Sequence, residues 1–413
     1  MPLYEGIGIV AEKHTVILDI GHAFTKCGFA REAGPRWIIP SQVKNSHTGK
    51  LRKLWDFKDR KELYFILKDF LHMLYFKYLV VNPKDRRVVI VESILCQTDF
   101  REVLAKVLFC HFEVPSVLFV PSHLMSLFTL GISSAVVLDS GYSETVVLPI
   151  YEGVVILNAW QALPVAAQAI HRRIEAEVME KAKVKTLASE PKPLGELLAE
   201  KGQTEPLKET VLEDIKVRTC FVAPFDLGQK IQAYESGKRL SGLKLSEEVP
   251  EPPPSPPDVE YPLNGEKIMT IPGEIRNYAP EIMFERSGDE QSLASLILDA
   301  ILKSPIDVRK TLAENLVVMG GNTMLPGFKH RLLAEVQNLL KDPYYSSRLP
   351  IKKIKIHQPP AKENYIAWLG GAIFGATDVV TTRSITREQY LKREYIPDWS
   401  DQMWTSHSGR GRS

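Results

Sequence analysis

The stretches HTVILDIGHAFTKCGF (residues 14–29) and SAVVLDSGYSETVVLP (residues 134–149) decide how this chain is read. Each has a β-rich run, then Asp-x-Gly, then a second β-rich run, which is the pattern of two strands joined by a tight turn. Two copies about 120 residues apart imply two similar half-domains. Glycine at such a turn lets backbone N–H groups approach an anion closely, and successive N–H groups form a nest that suits a phosphate. Asp19 and Asp139, at the strand ends, suit contact through water with Mg²⁺, a hard cation. Lys26 on the return strand of the first copy adds a point charge. One such hairpin alone is as a rule only a turn. A matched pair points to one nucleotide held by two turns.

Outward from the hairpins, apolar runs and punctuators alternate as in an α/β protein. Strands are predicted at His14–Ile20, Phe24–Ala30, Arg87–Glu92, Ser116–Val120, Ser134–Asp139 and Thr145–Ile150. Helices are predicted over Arg60–Tyr78, Phe100–His111, Ala162–Lys181 and Leu207–Phe221. In the first of these, Leu63, Ile66, Leu67, Phe70 and Leu74 form a core-facing stripe. Strand and helix candidates alternate again from Lys267 to Thr377. Leu316–Phe328 (LVVMGGNTMLPGF) reads as a buried strand, a Gly-Gly turn and a helix start, with Asn322 or Thr323 near the cap and Pro326 near the first turn. Such a helix start offers free N–H groups to an anion. Residues 229–248 are polar and weakly patterned. Residues 248–262 (EVPEPPPSPPDVEYP) are proline-rich, which keeps them out of helix and sheet interiors and predicts an extended surface spacer. The polar tail 400–413 is expected to fray.

The bulk numbers narrow the function classes. The chain has 413 residues, enough for two domains, and 44% hydrophobic residues, enough for a large core. With 52 basic and 50 acidic residues the net charge is +2, which lacks the basic excess of a nucleic-acid protein. Cys27, Cys96, Cys110 and Cys220 have no metal-ligand spacing, so reduced, buried thiols are expected. The opening MPLYEGIGIVAEKH lacks the features of a secretory signal, and no apolar run of about 18 residues predicts a membrane span.

Several segments now carry a resemblance. DIGHAFTKCGFA (residues 19–30), followed by Pro35, Arg36, Pro40 and Ser41, resembles the first phosphate loop of actin. LDSGYSETVVLPIYEG (138–153) resembles the second, and GGNTMLPG (320–327) the adenosine loop. WLGG (368–371) and ITREQY (385–390) resemble the actin C-terminal region. Asp214–Lys216 with Cys220–Ala223 resembles the helix bordering the adenosine pocket. Over residues 14–390 the chain is identified as a member of the actin-related proteins. The resemblance implies a two-lobed α/β fold with duplicated half-domains and a central cleft, shared in the wider superfamily with hexokinase and heat-shock chaperones. It places residues 1–132 in the first lobe, 133–365 in the second, and 366–399 back in the first. It implies ATP or ADP with Mg²⁺. Asp19, Gly21, Lys26, Asp139, Ser140 and Gly141 would surround the phosphates, with Asp19 and Asp139 on the metal through water. Lys216, Gly320, Gly321, Thr323 and Met324 would border the nucleoside.

The departures from actin bear on activity. His22-Ala23 and Tyr142-Ser143 replace the Ser-Gly and Asp-Gly pairs of the two loops. Ser122 stands where actin has the Gln that orients water, and Val146 where it has an assisting His. Losing one positioned polar group costs about 10²- to 10³-fold in rate, and losing general-base help about 10²- to 10⁴-fold. An almost inert site is therefore expected, without catalytic residues. Val217 and Leu325 replace a ribose-contacting Glu and an adenine-side Tyr, so nucleotide binding would be weakened or altered; the other reading is an empty cleft with the glycines as relics.

Assembly is the second point of departure. After Ser41 the chain runs roughly twenty residues short of actin, more than ordinary loop drift. The shortening falls in the small outer subdomain, at about 42–60, including the loop that docks into the next filament subunit. Within the family this pattern is most similar to the actin-related subunit of the dynactin pointed-end complex. That implies a structural subunit capping dynactin's actin-related filament, with other pointed-end subunits as partners, dynein indirectly, and a place in the cytoplasm and cytoskeleton. Neither nucleic acid nor membrane insertion is expected. Residues 248–262 are either a docking strip for partners or a spacer. The alternatives are a nuclear actin-related scaffold of a chromatin-remodelling complex, an active actin-like ATPase, and, against the family motifs, a sugar or acetate kinase.

Overall fold

The computed structural model describes residues 13–44, 49–186, 189–195, 207–242, 249–263, 267–288, 290–351 and 353–397. The readings of residues 1–12, of 243–248 and of the tail 400–413 lie outside these. The chain divides into two compact units, Met1–Gly131 with Tyr365–Ser413, and Ile132–Asn364.

The first unit is built on the first hairpin. Strands β1 (Val16–Ile20) and β2 (Phe24–Phe29) pair antiparallel with Asp19 opposite Lys26. Their sheet runs in the order β17-β7-β6-β1-β2-β3, where β3 is Trp37–Pro40, β6 Val88–Glu92, β7 Ser116–Pro121 and β17 Ile385–Thr386. Between β3 and the first helix the described residues form only a two-stranded sheet, β4 (Gln42–Lys44) and β5 (Leu51–Lys53).

Helix α1 (Arg60–Met73) starts where the Asp59 carboxylate accepts from Glu62 N, satisfying a donor that the first turn would otherwise leave orphaned. It buries Leu63, Ile66, Leu67 and Phe70 of the predicted stripe together with Leu71, while Leu74, also buried, falls just past its end. The helix then loosens into a π-turn over Leu74–Leu79 and stops at Val80, whose φ is 53°. Helix α2 (Thr98–Lys106) also passes into a π-turn, Val107–His111, so both predicted helices are shorter as α-helices than the apolar pattern suggested. Helix α3 is Ser122–Phe128. Residues from 365 onward return to this unit because Trp368, fully buried, donates from Nε1 to the Ile17 carbonyl of β1 at 3.1 Å.

The second unit repeats the plan. Strands β8 (Ala135–Ser140) and β9 (Thr145–Tyr151) form a hairpin, and β8 is flanked in parallel by β16 (Leu316–Met319), as β1 is by β6. Strands β10 (Val154–Val155) and β11 (Gln161–Leu163) both pair with β9. A four-stranded sheet has the order β13-β12-β15-β14, with β12 Lys183–Thr186, β13 Ser189–Pro193, β14 Val259–Pro262 and β15 Lys267–Ile271. The helices that matter below are α4 (Ala167–Lys181), α5 (Glu209–Thr219), α6 (Phe225–Gly242), α7 (Gly273–Tyr278) and α8 (Phe328–Leu339).

Several expectations are corrected here. Residues 161–163 form a strand, and the helix expected from Ala162 begins at Ala167. The polar stretch after 229 is the body of α6. The proline-rich segment ends in β14, at the edge of its sheet, where a proline costs no ladder bond. The Gly-Gly turn leads into a 3₁₀ turn, Gly321–Met324, and the helix starts only at Phe328, after Gly327. Of the cysteines, Cys27 and Cys220 are buried, whereas Cys110 is exposed. Among the described residues no helix is long and apolar enough to cross a membrane.

Candidate functional site

The two Asp-x-Gly turns are closed alike. Gly21 N donates to the Phe24 carbonyl at 3.1 Å, and Gly141 N to the Glu144 carbonyl at 3.1 Å. In register, Asp19 faces Lys26 in the first hairpin and Asp139 faces Val146 in the second. The sequence echo is thus a repeat of backbone geometry, with a cation kept in one copy only.

In the first unit, Lys26 Nζ lies 3.0 Å from Asp19 Oδ2, both only slightly exposed. The Gly21 carbonyl accepts from Ser41 Oγ at 2.6 Å and from Trp55 Nε1 at 3.1 Å. Ser41 Oγ also pairs with Thr25 Oγ1 at 2.8 Å. The His22 ring stacks on Trp55 at 4.2 Å, and Trp55 stacks on Phe100 at 3.8 Å. Burial pushes the His22 imidazole below its ordinary value, which favours the neutral ring. This turn is therefore braced from the residues that follow β3 and from α2. Ser122 opens α3, buried, with Oγ 3.3 Å from His123 Nδ1.

In the second unit, three segments distant in sequence converge. Ser140 is buried and bonded to Thr145 Oγ1 at 3.0 Å. Asn322 Nδ2 donates to the Gly141 carbonyl at 2.8 Å and to Ser140 Oγ at 3.3 Å. Lys216 Nζ donates to Asn322 Oδ1 at 3.4 Å and sits 2.7 Å from Glu213 Oε2, which also pairs with His171 Nε2 at 2.8 Å. Burial alone would raise the Glu213 carboxyl, but the His171 hydrogen bond and the Lys216 charge bring it down to about 2. Gly320 holds φ at 101°, and a Cβ there would lie 2.1 Å from the Ser140 carbonyl oxygen and 2.8 Å from Asp139 Oδ1. Only glycine fits, because β16 must turn directly against the end of β8. Thr323 Oγ1 bonds back to the Gly320 carbonyl at 2.9 Å.

Within the second unit, then, Asp139, Ser140, Gly141, Lys216, Gly320 and Thr323 come together. Gly321 has open space where a Cβ would point, and Met324 is exposed. Lys216 differs from expectation in that its ammonium is already held by Glu213 and Asn322. His171, Glu213 and the Trp55 brace escaped sequence reading. Only Glu213–Lys216, at helical i, i+3 spacing, left a signal there. Val146 and Leu325 are buried, and Val217 is exposed.

Two α/β units, each with an Asp-x-Gly hairpin whose first strand is flanked by a parallel strand, define a protein of duplicated hairpin architecture. A family model described as Actin matches residues 64–394, and the chain belongs to the actin family. Among curated proteins it is similar to "Actin-related protein 10" of Dictyostelium discoideum, 26% identical over 94% of this chain and 89% of that protein.

Proposed function

We propose that this chain is a non-polymerising structural subunit that caps the pointed end of the actin-like filament of dynactin. In that role it helps recruit the other pointed-end subunits and supports dynein–dynactin transport along microtubules, in the cytoplasm and cytoskeleton. The observation that carries the reading is the outer segment of the first unit. Between β3 and α1, the described residues supply only the small sheet of β4 and β5, with Leu54 fully buried behind it. A subunit without a long outer loop offers little to a following protomer while keeping its opposite end for the filament. Similarity to a protein named as actin-related supports the class.

The nucleotide in this reading is ATP or ADP with Mg²⁺, and its part is structural. The glycine turns at Gly21 and Gly141, with Lys26, suit the phosphates, and Asp19 and Asp139 suit a hydrated metal ion. Hydrolysis is slight or absent, because neither Ser122 nor Val146 replaces the water-orienting and proton-accepting groups. Purification of the tagged protein from cells, with identification of its companions and of the nucleotide released on denaturation, tests both parts. Dynactin subunits with intact ATP are expected. Chromatin-remodelling subunits, or a free protein that turns over ATP rapidly, would sink the capping role.

A further inference from the structure

The proline-rich segment is anchored along one edge only. Pro253 is buried, Pro256 and Val259 are partly buried, and Glu251, Pro252, Pro254, Ser255, Pro257 and Asp258 are exposed. Burial at every third residue is the repeat of a polyproline II helix, which has three residues per turn and therefore three ridges. Hydrogen bonds tie the strip to the second unit at both of its ends. Tyr278 Oη donates to the Pro253 carbonyl at 3.4 Å, Arg276 Nη1 to the Pro257 carbonyl at 2.8 Å, and Gly273 N to Asp258 Oδ1 at 2.8 Å. The fit is close: a Cβ on Gly273 would fall 1.6 Å from the Pro256 carbonyl oxygen. Two ridges are left outward, one carrying Glu251, Pro254 and Pro257, the other Pro252 and Ser255.

We propose that residues 250–258 are a preformed ligand for a partner domain with an aromatic-lined polyproline groove and a basic rim. Grooves of this kind grip a polyproline II helix by residues three apart and gain from its being ordered beforehand. A free peptide must be ordered on binding, whereas this strip is already tied to α7. The carboxylate of Glu251 sits at one end of the strip, which is why the rim is basic. The inference stands apart from the nucleotide and from the filament role. A mere spacer would need neither the anchoring hydrogen bonds nor two outward proline ridges.

The test uses the full chain and a panel of purified SH3 and WW domains, with binding read by fluorescence anisotropy. At least one basic-rimmed domain is expected to bind saturably, with affinity falling about tenfold or more in P254A/P257A. Both prolines are exposed, so an unchanged thermal melt verifies that the variant is folded. A second variant, E251K, should weaken the same complex at low salt, since it reverses a charge facing the rim. Failure of every domain to bind below about 1 mM, or equal binding by P254A/P257A, would overturn the proposal. Tighter binding by E251K would overturn the basic rim.

Discussion

Glu213→Gln isolates the polar junction of the second unit. The substitution keeps the side chain's shape but removes the charge facing Lys216, whose side chain is 4% exposed and whose ammonium lies 2.7 Å from the carboxylate. Breaking a buried pair by removing one partner costs about 3–5 kcal/mol. Glu213 is itself 27% exposed, so water recovers part of this, and a loss of about 2–3 kcal/mol at neutral pH is expected. The pH dependence supplies an independent check. A carboxyl held at about 2 instead of its ordinary 4.5 contributes stability that is fully present above pH 4.5. That contribution disappears as pH falls from 4.5 towards 2, because the unfolded chain takes up the proton first. The glutamine variant has no such group, so the gap between variant and wild type should close across that window. Urea titrations of the full chain at neutral pH and at about pH 3, read by circular dichroism and by proteolysis of the second unit, give both quantities. Glu213→Gln/Lys216→Met, which also removes the orphaned cation, should recover part of the loss. Equal stability at neutral pH, or a gap that does not change on acidification, would refute the argument.

Three further outcomes follow from the geometry. Glu281→Gln removes one of the two carboxylates held by the fully buried Arg331 guanidinium, the one joined by bonds of 2.9 and 3.1 Å, and leaves Glu335 at 2.8 Å; with that partner kept, about 2–3 kcal/mol should be lost, with partial recovery in Glu281→Leu/Arg331→Met, as measured by denaturant unfolding. Gly320→Ala forces a side chain into left-handed backbone and towards the Ser140 carbonyl. It should cost about 1–3 kcal/mol and lower the nucleotide recovered per mole of purified protein, whereas a stable variant with undiminished nucleotide would contradict the role given to this turn. Trp55→Leu removes both the His22 stack and the bond to the Gly21 carbonyl. Amide exchange at residues 21–23 should quicken about tenfold or more, as expected when a local opening loses about 1.4 kcal/mol, while exchange in the second hairpin stays as it was.

Much of the backbone plan was legible in the sequence alone. Alternating apolar runs around Asp-x-Gly are local signals, so both hairpins, their strands and the stripe of α1 could be read without knowing what lay beside them. Periodicity failed where local pattern and burial part company. Helix α6 is polar enough to pass for a loop, and residues 161–163 belong to a strand because β9 offers them an edge. The helix expected at Asn322 starts later because Asn322 is fully buried, with its side chain committed to Ser140, Gly141 and Lys216. The proline-rich segment announced its own conformation through fixed φ angles, but not which ridge it would bury, since that depends on Tyr278, Arg276 and Gly273. Residue types and hairpin chemistry were thus set by neighbours along the chain. The state of Lys216, the brace on Gly21 and the outward face of the prolines were decided by groups brought together only in the folded units, where burial makes every polar atom seek a partner.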